Sequence, residues 1–218
     1  MNINITFDLE TCALCPTAAV MSIGAVAWNA DADCNPFADL FSDEYSFYRH
    51  VDLRSSFVDG FTFDSKTSEW WATQDEEAKK ALLEYDDVPL RPIGSVIEDF
   101  FGFIQYVREE TSAKDVKLWS QGSDFDIAIL RNICGKYNIE VPVSYKNFRD
   151  HRTFFMEGAK IICDKAGVDL DEHKAYQLVE EYDGPGEPHN PVFDCKRSVF
   201  STWQMMKHLR SLNISKEE

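Results

Sequence analysis

Ile3-Asn4-Ile5-Thr6-Phe7-Asp8-Leu9-Glu10 alternates apolar and polar residues without a break. A period of two is the signature of a β-strand, so Ile3, Ile5, Phe7 and Leu9 share one face and Asn4, Thr6, Asp8 and Glu10 the other. A strand this apolar is expected to be buried. Two carboxylates on one face near its end then need an explanation, because buried like charges repel. A bound cation is the usual remedy. The alternative is a strand that ends in a polar loop with both acids in water.

Outward from this strand, three strands follow one another with short turns between them: 3–10, 20–28 and 45–51. Such a run predicts an antiparallel meander. Gly24 within the second strand allows another backbone to approach closely. Helices then dominate. Short ones are expected over 65–71 and 75–85, the latter with acids in its first turn, where the helix dipole favours them. Ile93, Val96, Ile97, Phe100, Phe101, Ile104 and Val107 recur at helical spacing and predict a helix over 93–110. Residues 116–119 read as a strand and Asp126 to Tyr137 as a helix. A further helix is expected over 153–165, with room for a short strand before it. Residues 169–188 are acidic and rich in Gly and Pro towards their end, and read as an irregular insertion. Asn190 and Pro191 start a terminal helix to Leu212 as N-cap and first-turn residue. The tail 213–218 is expected to fray. The expected class is α/β with a mixed sheet, in one domain over 1–212.

Hydrophobic residues make up 44% of the 218, enough for a large core. No stretch approaches the about 20 apolar residues of a membrane span. No basic segment followed by an apolar one opens the chain, so no signal peptide is expected and the cytoplasm is the default location. Six cysteines are present, and free thiols are expected in a chain with this much core. Cys12-x-x-Cys15 has no partner pair at zinc-ribbon spacing.

The net charge of −16 argues against tight, non-specific binding to duplex nucleic acid. Its distribution is uneven. No Lys or Arg precedes Arg49, whereas Cys195 to Arg210 holds Lys196, Arg197, Lys207 and Arg210 and no acid.

Two further acid sites lie at element junctions. Gly122-Ser123-Asp124-Phe125-Asp126 joins a strand to a helix, a common place for ligands in open sheets. His189-Asn190-Pro191-Val192-Phe193-Asp194 leads into the last helix. Asp8-Leu9-Glu10, then Phe125-Asp126, then His189 with Asp194 five residues on, resembles the DEDDh group of 3′–5′ exonucleases. That group belongs to the RNase H-like superfamily, with RNase T and the proofreading subunit of bacterial DNA polymerase. Ser22-Ile23-Gly24-Ala25, Thr67-x-x-Trp70-Trp71 and Arg152-Thr153 look closest to its phage and bacterial branch of exoribonuclease-like proteins. The resemblance spans residues 3 to about 208.

The resemblance implies an RNase H-like fold, with three antiparallel strands followed by parallel ones. It also implies a metal-dependent 3′–5′ exonuclease. Such an enzyme hydrolyses single-stranded 3′ ends and releases nucleoside 5′-monophosphates, here with RNA favoured over DNA. Asp8, Glu10, Asp126 and Asp194 are then the metal carboxylates for two Mg²⁺ or Mn²⁺ ions, with Asp8 bridging them. Two such ions roughly 3.5–4 Å apart suit phosphodiester hydrolysis. His189 is then the general base, a role that suits an unperturbed imidazole. Asp124 competes with Asp126 for the second position; Asp126 is preferred because it directly follows the Phe, which leaves Asp124 as a helix cap or a group that supports the metal carboxylates. Leu9, Thr11 and Phe125 are candidates for contact with the last nucleotide. Arg149 and Arg152, with Lys196 and Arg197, are candidates for its phosphates. The Trp70-Trp71 pair reads as core or interface packing more readily than as a base-stacking platform. A homodimer is a further expectation from the relatives. The competing classes are an exodeoxyribonuclease, a non-catalytic binding module on the same fold, and a Cys-x-x-Cys zinc or redox protein.

Overall fold

The computed structural model describes residues 2–38, 40, 43–83, 89–122 and 124–212. Five strands form one mixed sheet: β1 (Ile3–Thr11), β2 (Val20–Asn29), β3 (Ser46–His50), β4 (Lys117–Ser120) and β5 (Phe148–Asp150). Their spatial order is β3-β2-β1-β4-β5. β1 pairs antiparallel with β2, and β2 with β3; β1 with β4 and β4 with β5 are parallel. This is the mixed α/β sheet that the sequence predicts. Among the described residues, eight α-helices flank it: α1 (Leu53–Val58), α2 (Ser65–Thr73), α3 (Glu76–Leu83), α4 (Ile93–Thr111), α5 (Asp126–Tyr137), α6 (His151–Ala166), α7 (Glu172–Tyr176) and α8 (Pro191–Ser211).

β1 occupies the centre and is covered on both faces. Its odd residues join the main core with α4 and α5, where Phe7 meets Phe100 at 5.6 Å between ring centroids. Its even residues lie under α6 and α8, beside a second cluster around Trp28, Trp119, Cys195, Val199 and Trp203. Burying unpaired polar atoms there would cost about 1–3 kcal/mol each, and the neighbouring indoles prevent it. Trp119 Nε1 donates to Asn4 Oδ1 at 2.9 Å, and Trp28 Nε1 to Thr6 Oγ1 at 3.0 Å. His151, fully buried at the start of α6, bridges Thr6 (2.9 Å) and Thr202 of α8 (2.7 Å) through its two ring nitrogens. Burial pushes its pKa down to about 3, so it is a neutral strut between three elements.

Gly24 on β2 stands opposite Asp8 on β1. A Cβ there would lie 2.6 Å from the backbone of Pro191 and Val192. The missing side chain is what lets the first turn of α8 rest on the sheet beside Asp8, the close approach expected of this glycine.

Several elements differ from expectation. α1 was not anticipated; Asp52 caps it by accepting from Arg54 N at 3.0 Å. Its six residues are too few to show a period, and two of its apolar side chains, Phe57 and Val58, face solvent. α6 begins two residues early because Asp150 caps it, accepting from Thr153 N at 2.6 Å. Within 169–188, Asp171 caps the short α7, and Gln204 of α8 clasps the backbone N–H and C=O of Glu180. The expected end of the 75–85 helix at Glu84 and Tyr85 and the fraying tail 213–218 lie outside the described residues.

Candidate metal and catalytic centre

The parallel pairing of β1 with β4 brings the C-terminal ends of both strands to one edge of the sheet. β1 ends there with Asp8 and Glu10. β4 leads into α5, whose first turn holds Asp126, and the Asp126 carboxylate accepts a hydrogen bond from the Leu9 backbone. α8 starts at the same place, and its first turn holds Asp194. Two acids thus sit at helix N-termini, where the backbone dipole favours negative charge.

Local sequence chemistry fixes the α8 entry. Asn190 caps the helix by accepting from the N–H groups of Val192 (3.0 Å) and Phe193 (3.3 Å). Gly186, at φ +133°, packs its bare Cα against the Phe193 ring. His189 takes a left-handed conformation (φ +66°), and its N–H donates to Asp194 Oδ2 at 2.9 Å.

Electrostatics show how tightly the acids converge. Burial, then Asp194, pushes Asp8 up to about 7. Burial, then Asp8, Asp194 and Asp126 in turn, pushes Glu10 up to about 9. Asp126, 2% exposed, is raised well above the usual carboxylate range by burial and then by Asp8. The buried Cys195 thiol beneath them is raised first by burial and then by the field of all four acids. Asp124, in contrast, is exposed.

Glu10, His189 and Asp194 each bring a ligand atom to within 4.8 Å of the others. Oxygen-rich donors with one imidazole, plus carboxylates that repel one another, fit a hard divalent cation such as Mg²⁺ or Mn²⁺. Among the described residues no such group includes Cys12 or Cys15, and all six cysteines are free thiols.

The tryptophan pair has a different place from the expected one. The His189 ring lies edge-on to Trp70 (5.2 Å, 89°) and Trp71 (5.6 Å, 78°). Trp71 Nε1 donates to the Thr11 carbonyl at 3.0 Å, tying α2 to the end of β1. Both indoles therefore frame the imidazole. The Thr67-x-x-Trp70-Trp71 spacing was the one signal of this in the sequence, and it does not say which side chain the rings would meet.

The other candidates divide. Arg152 and Arg197 line a cleft of about 690 Å³ together with Asp8, His189 and Asp194. Arg197 also pairs with Asp194 at 3.1 Å. Arg149 is not among the lining residues, and its guanidinium donates to the Lys146 and Phe148 carbonyls, both at 2.7 Å. Lys196 lines a separate cavity with Tyr182 and Phe200. Leu9 is in the core, on the odd face of β1. Thr11 is buried and donates to the Ala13 carbonyl at 2.9 Å. Phe125 packs against the main core at the start of α5.

The raised carboxylates make stability depend on pH. An unfolded Asp or Glu ionises near 4, whereas Asp8 and Glu10 hold their protons in the metal-free fold to about 7 and about 9. Their contribution is therefore fully present below pH 4 and is lost as pH rises through 7 and then 9. In EDTA, Tm should fall across that interval, and Mn²⁺ should recover it most at the alkaline end. Thermal unfolding of wild type and of Asp8→Asn with Glu10→Gln checks this. An equally steep fall in the double variant would place the pH dependence elsewhere.

Comparison with known proteins agrees with this geometry. The 3′–5′ exoribonuclease Rv2179c-like domain family matches residues 3–199. No curated protein matches the chain. Among solved structures, cell-death related nuclease 4 (CRN-4) is similar with a TM-score of 0.61 and 14% identity. That match covers 95% of this chain and 64% of the nuclease, so the chain spans under two thirds of that protein's length. The nuclease domain of 3′hExo, a DEDDh family member bound to rAMP, gives 0.52 and 14%, covering 97% and 93% of the two chains. The 3′-exonuclease that recognises the histone mRNA stem-loop gives 0.54 and 14%, covering 95% and 64%. At this identity the structural likenesses establish the fold alone. Among the described residues, no helix is long and apolar enough to cross a membrane. With the family match over nearly the whole sequence and the sheet order and acid placement in hand, the chain belongs to the 3′–5′ exoribonuclease Rv2179c-like domain family.

Proposed function

We propose that the protein is a metal-dependent 3′–5′ exonuclease that removes nucleoside 5′-monophosphates from single-stranded ends, with RNA favoured over DNA. The observation that carries this reading is the convergence of Asp8, Glu10, Asp126, Asp194 and His189, of which Asp8, Asp194 and His189 line one cleft. The four acids would hold two Mg²⁺ or Mn²⁺ ions. Those ions would supply an activated water and relieve charge on the leaving oxygen. The family match, an exoribonuclease domain, supports RNA as the favoured sugar.

His189 is the group to take the proton. Its backbone is tied to Asp194 and its ring is confined by two indoles, so little swing remains. Water adds to phosphorus, the bond from phosphorus to the 3′ oxygen breaks, and the water's proton passes to the imidazole. The leaving oxygen takes a proton from solvent. Arg152 and Arg197 stand on the cleft wall, within the space a phosphate would enter.

His189→Gln should lower kcat by about a hundredfold or more while Mn²⁺ affinity changes only a few-fold. Calorimetric Mn²⁺ titration beside single-turnover kinetics separates the two. A parallel loss of metal affinity would make His189 a ligand, as its place beside Glu10 and Asp194 also permits.

The activity itself is tested with 5′-labelled single-stranded RNA and DNA of matched sequence, incubated with Mn²⁺, Mg²⁺ or EDTA. A ladder shortening from the 3′ end, dependent on metal and absent in Asp8→Asn, is the expected result. Absence of cleavage of both strands with either metal would overturn the assignment.

A further inference from the structure

Five large apolar side chains stand in solvent between the end of β1 and α2, and one of them, Trp70, meets His189. Leu14 is 79% exposed, Phe57 74%, Val58 82%, Phe63 42% and Trp70 47%. They are brought together by specific contacts. Phe57 and Phe63 meet at 6.1 Å between ring centroids. The loop that carries Leu14 is fastened alongside Phe63 by Thr62 N to Thr17 O (2.8 Å) and Asp64 N to Cys12 O (2.9 Å). Phe63 directly precedes α2, and Trp70 lies about 10 Å further along that helix, against the His189 ring. The row thus begins at His189 and leads away from it.

Cations also stand along the row. Exposed Arg54 and Lys66 stand on α1 and α2, and among the described residues neither takes part in an ion pair. The acids along the row keep their charge and are held in local hydrogen bonds. Asp52 and Asp64 cap α1 and α2, and Asp59 accepts from the Tyr137 hydroxyl. Glu69 is the one acid within α2 itself. Exposed aromatic faces with interspersed cations are how proteins hold single strands without reading their sequence. An apolar face left in water also needs an occupant, and here it adjoins the reacting end of the chain's own proposed substrate.

We propose that this ridge is the track for the nucleotides upstream of the scissile bond. Bases lie on Phe63 and Phe57, with Leu14 and Val58 at their edges and phosphates near Lys66 and Arg54. This rests on the exonuclease reading of the site and adds to it a length-dependent grip on single strands. Each stacked base should strengthen binding about tenfold.

The test compares wild type with Phe57→Ser/Val58→Ser, both at exposed positions outside the catalytic floor. Oligonucleotides from a dinucleotide to a dodecamer serve as substrates. In wild type KM should fall as length increases over the first few nucleotides. In the variant KM for the long strands should rise about tenfold, with dinucleotide turnover unchanged. Arg54→Gln/Lys66→Gln should make the plot of log affinity against log salt shallower by about 1.4, the value for two single-strand phosphate contacts. An unchanged length profile in the serine variant overturns the proposal. So does a shift from dimer to monomer in sedimentation with the profile intact, which would make the ridge a contact between two copies. Anisotropy of labelled strands in EDTA reads the ridge even if no strand is cleaved. Failure of the exonuclease reading therefore shows in the cleavage assay, and failure of the ridge shows in equal affinities.

Discussion

Asp8→Asn is expected to remove metal-dependent release of mononucleotides, lowering kcat/KM by about a thousandfold or more, or ~4 kcal/mol of transition-state stabilisation. Asp8 is at the centre of the acidic group. It lies opposite Gly24 on the neighbouring strand, and it shifts Glu10 and Asp126. An amide of the same shape keeps the packing and removes one carboxylate from the proposed metal site. The same change should leave the metal-free fold no less stable. Burial and Asp194 raise Asp8 to about 7, so at pH 8 its ionised form opposes folding, and the amide relieves that repulsion. Lost activity with an undiminished Tm in EDTA is thus the distinctive result. Near wild-type turnover in Asp8→Asn would sink the catalytic assignment. Lost activity with a lowered Tm would make Asp8 structural.

Gly24→Ala should be the most damaging change of a single methyl group. The added Cβ would sit 2.6 Å from Pro191 C and Val192 N. These are backbone atoms of a capped helix start, so no rotamer change relieves the clash. Overpacking of this kind costs about 3 kcal/mol. The helix must slide or lift, taking Asp194 and His189 with it. A displacement of ~1 Å at a catalytic group can lower turnover about a hundredfold. Gly102→Ala on the exposed face of α4 is the control, since nothing lies within 4 Å of its added Cβ. In a helix interior that change should stabilise by about 0.8 kcal/mol. Urea unfolding and single-turnover rates on both variants decide the matter. Wild-type behaviour of Gly24→Ala would mean that the α8 entry is not held against β2.

The elements with a long, clean period were legible directly. The 3–10 alternation, the 93–110 stripe and the Asn190-Pro191 start are local patterns, and the structure reproduces them within a residue or two. Gly24 was legible as well, because a glycine inside an apolar strand has few other uses. Asp126 could be preferred over Asp124 by its place after Phe125, and burial now separates the two. Shorter or two-sided elements were not legible. α1 shows two of its three apolar residues to solvent, and α7 lies in an acidic, Gly- and Pro-rich stretch with too few residues to display a face.

The amino-acid sequence by itself determined the strand and helix periods, the order of the acids, and the cap that starts α8. Each depends on residues within a few positions of one another. Only the tertiary structure decided what those residues meet. Parallel pairing of β1 with β4 sets Asp126 beside Leu9, 117 positions away in the chain. The bare Gly24 seats α8 so that Asp194 reaches Asp8. α2 folds across so that Trp71 holds Thr11 and both indoles frame His189. The same packing turns the Leu9 side chain into the core and occupies Arg149 with nearby carbonyls. Contacts between distant segments depend on which surfaces the whole chain can bury together, and no local period carries that information.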